Sequence, residues 1–143
     1  MKKRTSDPWK PAPDYAAELS GLTVNLLVKD VPRATAFARE VLGVTVIYED
    51  PDFAAVEGFG SKWCLHADHA YSDHPLRGSL AETGIRGIGA EIRLIGCDPD
   101  QAERQARAAG YHVLAGPLDK PHGMREAYIL DPDGYCWVPS VLR

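Results

Sequence analysis

Two stretches of this 143-residue chain carry the same rhythm, and that repetition constrains the fold more than any single motif does. With Asp30 laid on Asp98, Ala34 falls on Ala102 and Ala38 on Ala106; after one residue is dropped, Gly43 falls on Gly110 and Val46 on Val113. Each stretch opens with an alternating run, "GLTVNLLVKD" or "GAEIRLIGCD". In the first, Leu22, Val24, Leu26 and Val28 share one strand face, while Thr23 and Asn25 take the other. A helix follows in both: an Asp as N-cap, a proline in the first turn, an apolar stripe and a terminating glycine. The stripe is Ala34, Phe37, Ala38, Val41 and Leu42 in one and Ala102, Ala106 and Ala109 in the other. Three strand-like runs come next, "VTVIYE", "FAAVEGF" and "KWCLHA" in the first stretch, "YHVLA", "REAYIL" and "YCWVPSV" in the second. This is an internal duplication of a βαβββ unit. Neither unit can bury both faces of its own sheet. The predicted fold is therefore α+β, two βαβββ modules pairing into one cupped mixed sheet with helices outside.

The modules span about residues 21–67 and 88–141, joined by a linker over 68–87, and the domain runs from 21 to 141. Residues 1–20 open on a basic cluster, as a signal peptide does, but continue with Asp, Pro and Lys where an apolar stretch should stand. Pro8, Pro11 and Pro13 predict an extended arm, mobile unless Trp9 or Tyr15 docks on the body or on a partner subunit. A formal net charge of -4 offers no basic excess to neutralise phosphates, which argues against a nucleic-acid partner, and no run is suited to a membrane. Cys64, Cys97 and Cys136 are an odd number without C-x-x-C spacing, so free thiols in a reducing cytoplasm are expected.

The β-α rhythm, with "VKDVPRATAFAREVLGV" and "HVLAGPLDKPHGMREAYILDPDGYCWV", resembles the vicinal oxygen chelate superfamily over about residues 21 to 141. That superfamily includes glyoxalase I, extradiol dioxygenases, fosfomycin-resistance enzymes and bleomycin-resistance proteins. The resemblance implies paired βαβββ modules around one site and a homodimer, but no single activity. It departs at Ala38, where an aromatic residue is common. By the resemblance, the four metal-ligand positions fall on Thr23, Cys64, Glu91 and Val138. Thr is a weak donor, Val is none, and a catalytic zinc needs three protein ligands, so no metal cofactor is expected.

His66 follows Cys64 by two residues, which puts both on one strand face, and Glu91 faces the same expected cavity from the second module. His66 and Glu91 are the candidate catalytic residues, as an acid/base pair, as ligands of a divalent metal in a displaced site completed by His122 or Asn25, or simply as a buried polar pair. Asn25 and Arg93 hold equivalent positions in the two modules and suit an oxygen-rich or anionic ligand, although an Arg93–Glu91 pair on a solvated face would use the same residues. "DKPHGMRE" brings His122 and Arg125 to the rim. The three histidines of "LHADHAYSDHP" are not expected to converge on one ion. His69 sits an odd number of residues past His66, and Pro75 biases His74 toward extended backbone.

Two functions compete. The first is a small-molecule-binding protein of the bleomycin-resistance type, holding its ligand between Trp63, Trp137 and the polar residues Thr23, Asn25, Cys64 and Arg93. The second is a lyase or isomerase acting on a small oxygenated substrate through His66 and Glu91.

Overall fold

A computed structural model of the chain describes residues 1–82 and 84–143. The first module contains β1 (Val24–Val28), α2 (Val31–Phe37), β2 (Thr45–Glu49), β3 (Phe53–Gly58) and β4 (Ser61–Ala67). The second contains β5 (Glu91–Ile95), α4 (Pro99–Ala108), β6 (His112–Asp119), β7 (Met124–Leu130) and β8 (Cys136–Leu142). The strand orders are β1-β4-β3-β2 and β5-β8-β7-β6, so the duplication holds at the level of topology. Hydrogen bonding does not run continuously through the expected cup. Among the described residues there are two four-stranded mixed sheets, with β1 and β5 at their edges.

Local chemistry sets both helices. Asp30 accepts the Arg33 N–H at 3.0 Å and Asp98 accepts those of Asp100 and Gln101, each cap being followed by a proline in the first turn. The residue dropped in aligning the two halves has a structural cause. Beyond Phe37 the first helix continues as a π-turn, Ala38–Leu42, whereas α4 stays α-helical. A π-turn takes one extra residue, after which Gly43 (φ 68°) and Gly110 (φ 82°) end both helices in the left-handed conformation. The duplication extends to a bulge, at Val46/Tyr48 in β2 and Val113/Ala115 in β6.

The helix-bearing faces of the two modules share one core. Phe37, Ala38 and Leu42 from the first meet Ala102, Ala106 and Leu94 from the second, the Phe37 ring stands edge-on to Tyr111 at 5.0 Å, and Trp63 lies 5.2 Å from Trp137. The register makes Val24 equivalent to Ile92, Asn25 to Arg93, Trp63 to Trp137 and Cys64 to Val138.

The arm is less extended than expected, and both it and the linker carry short helices. Residues 12–17 form a short helix, α1 (Ala12–Ala17), because Pro11 caps it and Pro13 lies in its first turn, where a missing N–H costs nothing. The arm is docked: Trp9 stacks on Tyr48 at 4.6 Å and Tyr15 meets Phe53 edge-on at 5.8 Å. The linker contains a 3-10 turn at Asp68–Ala70 and α3 (Arg77–Glu82). It is pinned by Arg86, which bonds the Asp68 carboxylate through both terminal nitrogens and the Leu27 carbonyl at 2.8 Å.

Candidate functional site

Between the edge strands β1 and β5 lies a cavity of about 780 Å³, whose lining includes Glu18, Leu19 and Ser20 at the foot of the arm. Five of the expected site residues line it: Thr23, Trp63, Glu91, Arg93 and Trp137. The two indoles, buried to 5% and 3%, form an apolar wall with Ile92 and Leu94, while Thr23, Glu91 and Arg93 supply polar groups. The Trp137 N–H donates to Asp131 Oδ2 at 3.1 Å, which fixes the ring. Burial raises the Asp131 pKa to about 6, opposed by that bond and by N–H donors from Tyr135 and Asp133.

Arg93 also belongs to a polar group that was not anticipated. Its Nη2 lies 3.2 Å from Glu126 Oε2, the Ser140 hydroxyl donates to the same oxygen at 3.2 Å, and His122 Nε2 is 3.0 Å from Glu126 Oε1. The Glu126 side chain is 3% exposed; that of His122 is 52% exposed. A buried carboxylate with both oxygens engaged can orient an imidazole and keep a guanidinium in place. Strand alternation held the signal. Glu126 pairs with Ser140 across β7 and β8, on the face that also carries Arg93.

Three expected participants lie elsewhere. Asn25, Cys64 and His66 stand on the outer face of the first sheet, with Cys64 packed among Phe53, Ala55 and Tyr15 of the arm. The expected pairing of His66 with Glu91 is replaced by a 2.6 Å bond from His66 Nδ1 to Asn25 Oδ1, and Glu91 faces the cavity without it. Burial first, then the neighbouring Arg4, lowers the His66 pKa to about 4, so the ring is neutral near pH 7. Of Thr23, Asn25, Glu91 and Arg93, expected together, all but Asn25 line the cavity. Arg125 turns to the helix side, where it is held at 2.7 Å by Asp100 of α4 and at 2.9 Å by Asp119, and it is not a rim residue.

The three histidines of residues 66–74 have separate partners: His66 bonds Asn25, His69 bonds Asp52 at 2.8 Å, and His74 packs on Tyr71 at 4.6 Å. Among the described residues no three His, Cys, Asp or Glu side chains are grouped to hold a metal ion. The positions that carry ligands in metal-dependent relatives do not fit one here. Thr23 and Glu91 open on the cavity, Cys64 lies under the arm with its thiol pKa raised by burial, and Val138 has no donor. All three cysteines are free thiols. No helix among the described residues is long and apolar enough to cross a membrane.

Residues 22–138 match the family model described as the Glyoxalase/Bleomycin resistance protein/Dioxygenase superfamily. No curated protein matches the chain. Among solved structures, a protein from the mobile metagenome of V. Pseudocholerae is 25% identical, with a TM-score of 0.61 over 87% of this chain and 95% of that one. TioX from Micromonospora sp. ML1 is 20% identical, with a TM-score of 0.62 over 87% and 97%. A glyoxalase/bleomycin resistance protein/dioxygenase family enzyme from Burkholderia phytofirmans PsJN is 20% identical, with a TM-score of 0.64 over 85% and 97%.

Proposed function

The chain belongs to the glyoxalase/bleomycin resistance protein/dioxygenase superfamily, and from that premise we propose that it is a small-molecule-binding protein of the bleomycin-resistance type, working without a metal. The observation that carries this reading is the cavity of about 780 Å³ between β1 and β5, within the size range of sites for small organic ligands. Its Trp63 and Trp137 wall suits an apolar or aromatic body. Thr23, Glu91 and Arg93 suit an oxygen-bearing edge. Arg93 spends one N–H on Glu126, which leaves further donors of its fork for an anionic or oxygen-rich group.

Ligand binding is read from quenching of Trp63 and Trp137 emission across a panel of aromatic carboxylates. Arg93→Ala is expected to weaken the best binder at least tenfold, the loss of one charge-assisted contact. An unchanged Kd would reject the assignment. Elemental analysis of untagged protein tests the metal-free part of the reading: stoichiometric metal that disappears in Glu91→Ala would overturn it.

A lyase or isomerase is the second reading, favoured by the His122–Glu126 pair beside Arg93. His122 would move the proton, Glu126 would orient its ring, and Arg93 would hold the substrate oxygen. On this reading His122→Ala lowers any turnover by roughly 10²–10⁴-fold while leaving Kd nearly unchanged. We further propose a cytoplasmic homodimer, supported by the open edges of β1 and β5, the exposed Ile95 and Leu142, and the free thiols. A monomer in light scattering at micromolar concentration would contradict the dimer.

A further inference from the structure

The duplication places an equivalent cleft at the end of each helix, and only one of the two collects hydrogen-bond donors. The first, of about 500 Å³, is walled by the end of the π-turn at Gly43, the start of α4 at Gln101 and Phe59 of the β3–β4 hairpin. The second, of about 450 Å³, is walled by the end of α4 at Gly110, Arg33 of α2, the β7–β8 turn at residues 131–134 and Ile85 of the linker. Aligned on their N-caps, Gln101 falls on Arg33; aligned on their terminating glycines, Val44 falls on Tyr111 and Thr45 on His112. In the first cleft Val44 is buried and the Phe59 ring rests on Gly96, 3.3 Å from where a Cβ would stand.

The second cleft differs in kind. Arg33 and His112 are exposed and Tyr111 is half-buried. Among the described residues, no hydrogen bond or ion pair engages the Arg33 guanidinium, the Tyr111 hydroxyl or the His112 ring. The Tyr111 ring is held edge-on by Phe37 at 5.0 Å, so its hydroxyl is fixed in place without a partner. Burial and the nearby Glu40 raise its pKa above the ordinary 10.0 against the pull of Arg33, so the phenol keeps its proton and donates. The carboxylates of the turn are engaged elsewhere. Asp131 accepts N–H bonds from Asp133, Tyr135 and Trp137, while Asp133 accepts the Lys29 N–H at 2.9 Å and has the Arg86 guanidinium 3.8 Å away. Their charge still sets a polarity: an anion belongs beside Arg33, and the uncharged part of a ligand against the turn.

We propose that the cleft between the end of α4 and the β7–β8 turn is a binding site for a small organic carboxylate with a short apolar body, held at its charged end by Arg33, Tyr111 and His112. The guanidinium fork meets the carboxylate, and the phenol O–H and an imidazole N–H add single bonds. Ile85, half exposed, and Leu130 cover the apolar body. The site shares no residue with the β1/β5 cavity and stands whether or not that cavity takes a ligand.

The probe is hexanoate, titrated into the full-length protein and followed by backbone amide NMR, with hexanamide as its uncharged counterpart. The amides of Ile85, Gly110, His112 and Gly134 are expected to shift saturably with hexanoate, and hexanamide to bind about tenfold more weakly. Arg33→Gln should raise the hexanoate Kd about tenfold, and Tyr111→Phe, which keeps the ring on Phe37, about fivefold. Gln101→Ala in the first cleft and Arg93→Ala in the β1/β5 cavity should leave it unchanged. No saturable shift, shifts centred instead on Glu91 and Arg93, equal affinity for hexanamide, or a Kd unmoved by Arg33→Gln would each overturn the proposal. Arg33, Gln101 and Arg93 are exposed and Tyr111→Phe removes only a hydroxyl, so all of these variants should fold.

Discussion

The two modules have the same strand order, the same helix start and the same bulge, yet their outer faces differ at every central position. Register makes Asn25 equivalent to Arg93, His66 to Ser140, Phe53 to Glu126, and Cys64 to Val138. In the first module Phe53 and Cys64 belong to an apolar and aromatic floor that the arm covers, with Asn25 and His66 bonded to each other beside it. The second places a buried carboxylate in the same spot and answers it with Arg93, Ser140 and His122. Burying a charge is costly unless it is paired and hydrogen-bonded, so one Phe-to-Glu difference between repeats demands several companion changes. The helix-side positions, by contrast, stay apolar in both modules, since they meet in one core. The repeat therefore fixes the frame, while the outer faces have diverged in chemistry.

The largest test of that division lies on the helices. Phe37 and Gln105 are equivalent by distance from their N-caps, but Phe37 is fully buried against Tyr111, whereas Gln105 is exposed. Phe37→Ala should cost about 3–5 kcal/mol in chemical denaturation, the usual penalty for emptying an aromatic site in a core. Gln105→Ala should stay within about 0.5 kcal/mol. Comparable losses at the two sites would show that the helices contribute equally to the shared core, contrary to the packing described.

Much of the frame was legible because periodicity reports which face of an element is buried. All eight strands overlap the runs that alternation marked, although β6 continues to Asp119, four residues past its run; both helices lie on the apolar stripes, and even the one-residue mismatch between the repeats corresponded to the π-turn at Ala38–Leu42. The site was legible only within a strand. Thr23, Glu91 and Arg93 share one strand parity and Trp63 and Trp137 the other, and all five line the cavity because it lies between the edge strands β1 and β5. His66 and Glu91 do not pair, because pairing between modules depends on how the two sheets meet, and strand parity carries no information about that. Asp52 was not legible for another reason: apart from the side chains of His69 and Arg4, its partners are amides of the arm, and backbone donors leave no trace in side-chain patterns.

Two buried aspartates extend the comparison to pH, with opposite signs. At Asp52, in the first module, desolvation is outweighed by N–H donors from Arg4 and Lys3 and by His69, so the pKa falls from the ordinary 3.8 to about 2. The stability it contributes is complete above about pH 4 and is lost as pH falls toward 2. At Asp131, in the second, burial dominates and raises the pKa to about 6. Between about pH 6 and 4 the folded chain holds a proton that the unfolded chain does not, so stability rises on acidification through that window. Denaturant midpoints measured from pH 2.5 to 7 should lose the acid-side fall in Asp52→Asn and lose the rise below pH 6 in Asp131→Asn. If both variants flatten the same limb, the two carboxylates do not sit in the opposed environments described.

The smallest expected effect asks whether the repeats are equal where the frame alone decides. Gly43 and Gly110 both end a helix in the left-handed region, and a Cβ built on either would meet no atom within 4 Å. With no clash at either site, only the backbone conformation opposes a side chain, and that penalty is roughly 1–2 kcal/mol for an L-residue. The π-turn that precedes Gly43 changes how the chain arrives there but not the φ at which it leaves. Gly43→Ala and Gly110→Ala should therefore lower stability by about the same amount, each about 1 kcal/mol, with m-values unchanged. A clearly larger loss at Gly43 would mean that the π-turn is strained and that its glycine relieves it, which would make the extra residue of the first repeat a cost and not a neutral insertion. Equal losses would leave the two helix ends interchangeable and confine the differences between the modules to their outer faces.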